Sequence, residues 1–100
     1  MFKFIERRKK KKELTNMITG LVISRIVVDQ KVNHLKLQLK HRKDFSKVYD
    51  KSSYKYTVNE IKIELLEKEI KYNTMYLTKV EKAIANKVDE LENFKSIWGK

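Results

Sequence analysis

The sequence predicts an all-α protein, a helical hairpin whose C-terminal half is a long amphipathic helix of the coiled-coil type. Glycine occurs twice and proline is absent among the 100 residues, a composition that is unusual unless most of the chain is helical. From Tyr56 to Trp98 every seventh residue is large and apolar, which is the spacing of one core position in a heptad repeat. Residues 14–42 can be read as a second helix with an apolar seam of the same spacing.

The long helix is predicted over residues 57–98, because residues 57–60, Thr-Val-Asn-Glu, have the form of an N-terminal capping box. Its companion core column contains three polar residues, Asn59, Asn73 and Lys87. A polar residue in such a seam costs stability and can fix register or oligomer size. For Asn73 and Lys87, the alternative is a loosely packed asparagine and a lysine that extends its ammonium group to solvent.

The first half of the long helix has a second apolar stripe, formed by Val58, Ile61, Leu65, Tyr72 and Met75. A helix that is apolar on two sides needs two partners. The simplest arrangement folds residues 14–42 back along residues 58–77 and leaves residues 80–98 as a coiled coil or docking rod.

If two such rods pair in parallel, Lys62 faces Glu67 and Glu90 faces Lys95 across the interface, and both contacts are attractive. Phe94 and Trp98 near the end are either an anchor for a partner or the last turn of an ordinary core. The predicted interaction residues are Ile63, Ile70, Leu77, Ile84, Leu91, Phe94 and Trp98.

Residues 14–42 allow two interpretations. As a helix, they have two apolar columns, Leu14, Leu21, Val28, Leu35 and Ile18, Arg25, Val32, Leu39, and Arg25 alone breaks the pattern. As strands, residues 21–28 are rich in β-branched side chains and residues 35–40 alternate between leucine and polar residues. The alternative fold is therefore α+β, with a β-hairpin at about residues 20–40 packed on the long helix. The helical pattern matches more residues and is preferred.

The remaining segments are predicted to be irregular. Residues 1–13 read as a basic N-terminal arm, because a block of six consecutive cations repels itself. Residues 43–56 read as the connecting loop, since Asp and Ser supply turn chemistry there. A single domain is expected over residues 14–98.

The charge is concentrated in the first part of the chain. Residues 1–57 hold sixteen Lys/Arg against five Asp/Glu, whereas residues 58–100 hold eight of each. Such asymmetry suggests an acidic partner, either nucleic acid or an acidic protein surface, although an AT-rich coding sequence also enriches lysine. Lysine outnumbers arginine twenty to four, which favours diffuse contact with phosphates over reading of bases.

Two segments are candidates for nucleic-acid binding. The first is the run of cations near the N-terminus, and the second interleaves lysine with tyrosine, as sites for single strands do. Tyrosines that simply cover the edge of a core are the alternative for the second segment. A membrane surface is the less favoured partner, because the apolar anchor beside the first segment is small. The candidate residues are Arg7, Arg8, Lys9, Lys10, Lys11, Lys12, Lys47, Lys51, Tyr54 and Lys55.

The sequence does not predict an enzyme, a cofactor or a metal site. Cysteine is absent, and His34 and His41 are seven residues apart without a completing ligand. The longest run free of charge, residues 14–24, is much shorter than the ~20 residues of a spanning helix. We therefore expect a cytoplasmic protein.

These observations predict a small, non-enzymatic helical protein that acts by association. Residues 58–98 are expected to assemble with a second copy or a helical partner, and the basic first half is expected to bind nucleic acid. The rival hypotheses are a purely protein–protein component, such as a scaffold, stalk or secretion-type chaperone, and a small phage- or plasmid-type inhibitor of a host enzyme.

Overall fold

The computed structural model describes the backbone of residues 2–98 and the side chains of residues 3–97. Two helices, α1 (Phe2–Val48) and α2 (Tyr54–Trp98), account for all of this part except residues 49–53, and it contains no strand. The all-α helical hairpin is thereby confirmed, and the alternative β-hairpin at residues 20–40 is wrong. The segment is helical because its two apolar columns, unlike an alternating pattern, place Val32 and Leu35, which are three residues apart, together on one buried helix face.

The chain divides into two compact units, each of which contains one segment of α1 and one segment of α2. The terminal unit consists of residues 1–27 and 78–100, and the central unit consists of residues 28–77. Within each unit the two segments are antiparallel, since residues later in α1 pair with residues earlier in α2. The ion pairs are Lys10–Glu90 and Arg25–Glu81 in the terminal unit, and Lys31–Glu69 and Lys43–Glu67 in the central unit.

The core of the terminal unit contains Leu14 from α1 and Val80 from α2, which are both buried. Other seam residues of the same unit, including Leu21, Ile84 and Leu91, are half-buried. Residues 80–98 are therefore packed within this unit, and the prediction that they extend as a free coiled coil or docking rod is wrong. The physical reason is that α1 is long enough to supply the apolar partner that a heptad seam requires.

The predicted N-terminal arm is also helical, since α1 begins at Phe2. Lysine and arginine are good helix formers, and Arg7, seven residues before Leu14, is half-buried on the same helix column. The Nζ atom of Lys10 lies 3.8 Å from a carboxylate oxygen of Glu90, so part of the repulsion within the basic run is offset. The helix of residues 14–48 thus continues through the basic run instead of ending before it.

The core of the central unit contains Val32 and Leu35 from α1 and Ile63 and Asn59 from α2. Asn59 is 2% exposed and its amide is bonded to α1. Asn73 behaves differently, because its Nδ2 donates to the backbone carbonyl of Glu69, one turn earlier in its own helix. Polar residues with the same heptad position therefore have different partners.

The connection between the helices is shorter than the predicted loop of residues 43–56, because both helices extend into that segment. Asp50 Oδ1 accepts hydrogen bonds from the backbone N–H and the hydroxyl of Ser52, and these bonds hold the pKa of the Asp50 carboxyl below its ordinary value. Ser53 is the N-cap of α2, since its Oγ accepts a hydrogen bond from the backbone N–H of Tyr56. The predicted capping box at residue 57 is therefore wrong by one turn, and Thr57 lies inside the helix.

Gly20 provides a test of how much of α1 depends on local helix propensity. It lies in the interior of α1 with φ in the ordinary negative range, and a Cβ atom built on it meets no atom within 4 Å. Alanine restricts the unfolded chain more than glycine does. We expect Gly20→Ala to raise the free energy of unfolding by about 0.5–1 kcal/mol, as measured by urea denaturation. A loss of stability would show that this face of the helix is covered in solution.

Candidate nucleic-acid interface

The basic segment of the terminal unit, residues 3–12 of α1, carries the first group of predicted binding residues. Three of its cations have contacts within the unit. Lys10 pairs with Glu90, Arg7 is half-buried with an interaction of its own, and the guanidinium of Arg8 lies 5.6 Å from the centre of the Phe4 ring. The contact of Lys10 joins α1 to α2, whereas that of Arg8 lies within its own helix.

Four further cations of the basic segment are exposed, namely Lys9, Lys11 and Lys12 of the predicted set and Lys3, which was not predicted. No acidic side chain among residues 3–97 lies within ion-pairing distance of any of them. A shallow open groove on the same stretch of helix is lined by Phe4, Ile5, Arg8, Lys9, Lys11, Lys12, Thr15 and Asn16. An exposed ring beside several ammonium groups is a combination that can contact both a base and a phosphate.

The charge surplus of the chain is largest in the terminal unit. This unit holds thirteen Lys/Arg against six Asp/Glu, and the central unit holds eleven against seven. In all four ion pairs described above between the helices, the cation lies on α1 and the carboxylate on α2. The acidic residues of α2 therefore neutralise part of α1 along its length, and the basic segment retains cations that no carboxylate neutralises.

The second predicted segment lies in the central unit, at the connection between the helices. Lys47 lies in the last turn of α1, Lys51 lies in the connection, and Tyr54 and Lys55 begin α2. All four side chains are exposed, and Tyr54 is 83% exposed. The lysines share this end of the unit with several acids, however, namely Asp44, Asp50, Glu60 and Glu64. Its local charge is thus more mixed than that of the basic segment.

The predicted interaction residues form the contact between the two helices of the same chain. Ile63 is buried, and Ile70, Leu77, Ile84, Leu91 and Phe94 are half-buried. The side chain of Trp98 lies outside the described residues. Glu67 and Glu90, which were expected to pair with lysines of a second copy, pair instead with Lys43 and Lys10 of α1. A second copy can use this seam only if the hairpin opens.

Two of the polar residues in the seam, Lys87 and Asn59, have different surroundings. The Nζ atom of Lys87 lies 3.1 Å from Oε2 of Glu90, a carboxylate at the surface of the terminal unit. This agrees with the interpretation in which the lysine extends its ammonium group outward. Sequence reasoning gave less weight to Asn59 than to Lys87 and Asn73, although the buried contact between the helices is made by Asn59. Its position in the first turn of the predicted helix of residues 57–98 was the available signal.

Neither histidine has the surroundings of a metal ligand. The Nε2 atom of His34 lies 3.0 Å from Nε2 of Gln38, and His41 lines an open groove of the central unit with Phe45 and Leu65. Within the described residues, no group of three or more His, Cys, Asp or Glu side chains is placed to hold a metal ion. Neither helix has, in that same part of the chain, an apolar stretch of the length required to cross a bilayer.

No protein-family model matches this sequence, and comparison with curated proteins and with solved structures finds no significant similarity.

Proposed function

We propose that this protein binds nucleic acid through the basic segment of α1, and that it does so by contacts to phosphates. The observation that carries the proposal is that three exposed lysines, Lys9, Lys11 and Lys12, lie within four consecutive residues and have no carboxylate of the described residues within ion-pairing distance. Binding of this kind releases counterions from the nucleic acid and is strongly dependent on salt. It requires no catalytic group and no cofactor.

The helical form of the segment favours the proposal. In a mobile arm the ammonium groups would have to be ordered on binding, at an entropic cost for each residue. A helix already holds the backbone, and its N-terminus adds positive potential at the same end of the chain. Lysine is a strongly hydrated point charge without the planar fork of arginine. We therefore expect little discrimination between sequences.

The test is a fluorescence-anisotropy titration of the full chain against labelled duplex DNA, single-stranded DNA and RNA at about 50 and 200 mM salt. We expect replacement of Lys9, Lys11 and Lys12 with glutamine to weaken binding by about 10- to 100-fold at the lower salt. The slope of log affinity against log salt, which is negative, should also become shallower by about 2–3, close to one for each lost phosphate contact.

A variant with the same change of net charge supplies the control. Lys79, Lys82 and Lys95 are exposed on α2 in the terminal unit and have no carboxylate within ion-pairing distance in the described part of the chain. Replacing these three with glutamine should change affinity much less, because they lie outside the basic segment. Equal losses in the two variants would contradict a localised interface. A wild-type chain that binds anionic vesicles but none of the three nucleic acids would also overturn the proposal.

A further inference from the structure

The central unit has an apolar stripe on α2 that its own α1 leaves mostly exposed. Ile61, Leu65, Tyr72 and Met75 are between 51% and 71% exposed. They recur at helical spacing, and on a helical projection this stripe lies on the side of α2 opposite to the buried seam of Ile63 and Ile70. These four residues belong to the second apolar stripe that the sequence predicted, and its fifth member, Val58, is half-buried. A contiguous exposed apolar surface of this kind is typical of an interaction site.

The charges that flank the stripe indicate what covers it. Glu64 and Lys71 lie along one edge, and Lys62 and Glu69 lie along the other. Each edge thus carries one acid and one base, in opposite order along the helix. Lys62 and Lys71 have no carboxylate within ion-pairing distance among residues 3–97, whereas Glu64 pairs with Lys68 and Glu69 pairs with Lys31 at the surface.

We propose that the stripe binds the same stripe of a second copy of this chain, with the two α2 helices antiparallel. In that arrangement Ile61 meets Tyr72 of the other copy, and Val58 meets Met75. Glu64 then lies opposite Lys71 on one edge, and Lys62 lies opposite Glu69 on the other. Because the contact has two-fold symmetry, each of these attractive pairs occurs twice.

A parallel arrangement of the same stripes is less favourable. The residue on one edge would then face the residue five positions later on the partner's other edge. That places Glu64 opposite Glu69, and two-fold symmetry repeats this repulsion. The distribution of charge is therefore self-complementary and favours the antiparallel direction for a pair of identical stripes.

The size of the stripe sets the expected affinity. From Val58 to Met75 the helix rises about 26 Å, and the surface is one helix wide, with a charged residue, Lys68, near its middle. Such a contact is below the size of a standard stable interface. We expect a dimer that forms in the micromolar range and dissociates on dilution. This inference uses residues outside the basic segment and does not depend on nucleic-acid binding.

The experiment is sedimentation equilibrium of the full chain from about 1 to 200 µM, the range expected for a contact of this size. We expect a monomer–dimer equilibrium for the wild type and a monomer for Tyr72→Glu. Lys68→Leu should tighten the dimer by about tenfold or more, because it replaces the charge in the stripe with an apolar side chain. Ile23→Glu, which changes an exposed apolar residue of α1 in the terminal unit, is the matched control and should dimerise like the wild type.

A charge exchange tests the direction of the pairing. Lys71→Glu should weaken the dimer, since Glu64 of each copy then faces a glutamate, and the double variant Glu64→Lys/Lys71→Glu should restore it. The chain has no cysteine, so Ile61→Cys/Tyr72→Cys should form an intermolecular disulfide that Ile61→Cys alone does not. A monomeric wild type at all concentrations, a dimer that survives Tyr72→Glu, or cross-linking of the single cysteine variant would overturn the proposal. Circular dichroism should show that each variant remains helical.

Discussion

Replacement of Leu35 with alanine is expected to lower the free energy of unfolding by about 2–5 kcal/mol, the range for truncating a buried leucine. Leu35 is 6% exposed in the core of the central unit, on the same face of α1 as Val32. Two packed helix segments bury few side chains, so the loss of one removes a large share of the apolar contact. The alanine also leaves a space that the surrounding side chains fill only in part.

Leu37 provides the matched control for this experiment. It lies two residues later in the same helix, undergoes the same chemical change, and is 53% exposed. Leu37→Ala should change the free energy of unfolding by no more than about 0.5 kcal/mol, as most surface substitutions do. Urea denaturation followed by circular dichroism at 222 nm measures both variants. Equal losses at positions 35 and 37 would contradict the assignment of the buried face of α1.

The heptad spacing predicted which face of each helix is buried, because burial follows directly from the periodicity of apolar residues. Ile63, Val80, Leu14 and Leu35 are buried in the structure, and all belong to the columns identified in the sequence. The partner of α2 could not be predicted in the same way. An apolar column complements any helix with a similar column, and only the tertiary pairing decides between α1 of the same chain and a second copy.

The errors at the helix boundaries have a local cause. Aspartate and serine are spread over residues 44–53, and each is compatible with a turn. In the structure Asp50, Ser52 and Ser53 make the hydrogen bonds of the turn, whereas Asp44 lies within α1. The residue types therefore located the connection but not its length. A six-residue block of cations likewise looked irregular, although each residue is individually a good helix former.

The candidate interface was predicted as a set of residues, and the structure adds which of their side chains have a carboxylate within ion-pairing distance. Lys10 and Lys11 are adjacent and chemically identical in the sequence, yet Lys10 has a carboxylate of Glu90 at 3.8 Å and Lys11 has none within the described residues. This difference depends on the position of α2, about eighty residues away in the sequence. No local pattern contains that information.

Asn59→Ala is the second substitution for which we expect a large loss, about 1–3 kcal/mol in the free energy of unfolding. The Nδ2 group of Asn59 donates to the backbone carbonyl of Arg42 at 2.7 Å and to the hydroxyl of Ser46 at 2.8 Å. Its Oδ1 accepts a longer bond, 3.4 Å, from Nη1 of Arg42. The Ser46 hydroxyl in turn donates to Oε1 of Glu60 at 2.7 Å. Alanine removes three bonds between the helices at a position where water has little access.

Asn73→Ala is the control, because it makes the same chemical change at the same heptad position two heptads later. The described hydrogen bond of the Asn73 side chain is to the carbonyl of Glu69 in its own helix, and alanine has the higher helix propensity. We expect a change within about 0.5 kcal/mol in either direction. If Asn59→Ala and Asn73→Ala have equal effects in urea denaturation, the Asn59 contacts do not fix the pairing of α1 with α2, and the apolar columns alone set the register. If Asn59→Ala is much the larger, the register is fixed beside the connection, where a short turn and a buried amide constrain the same pair of helix ends.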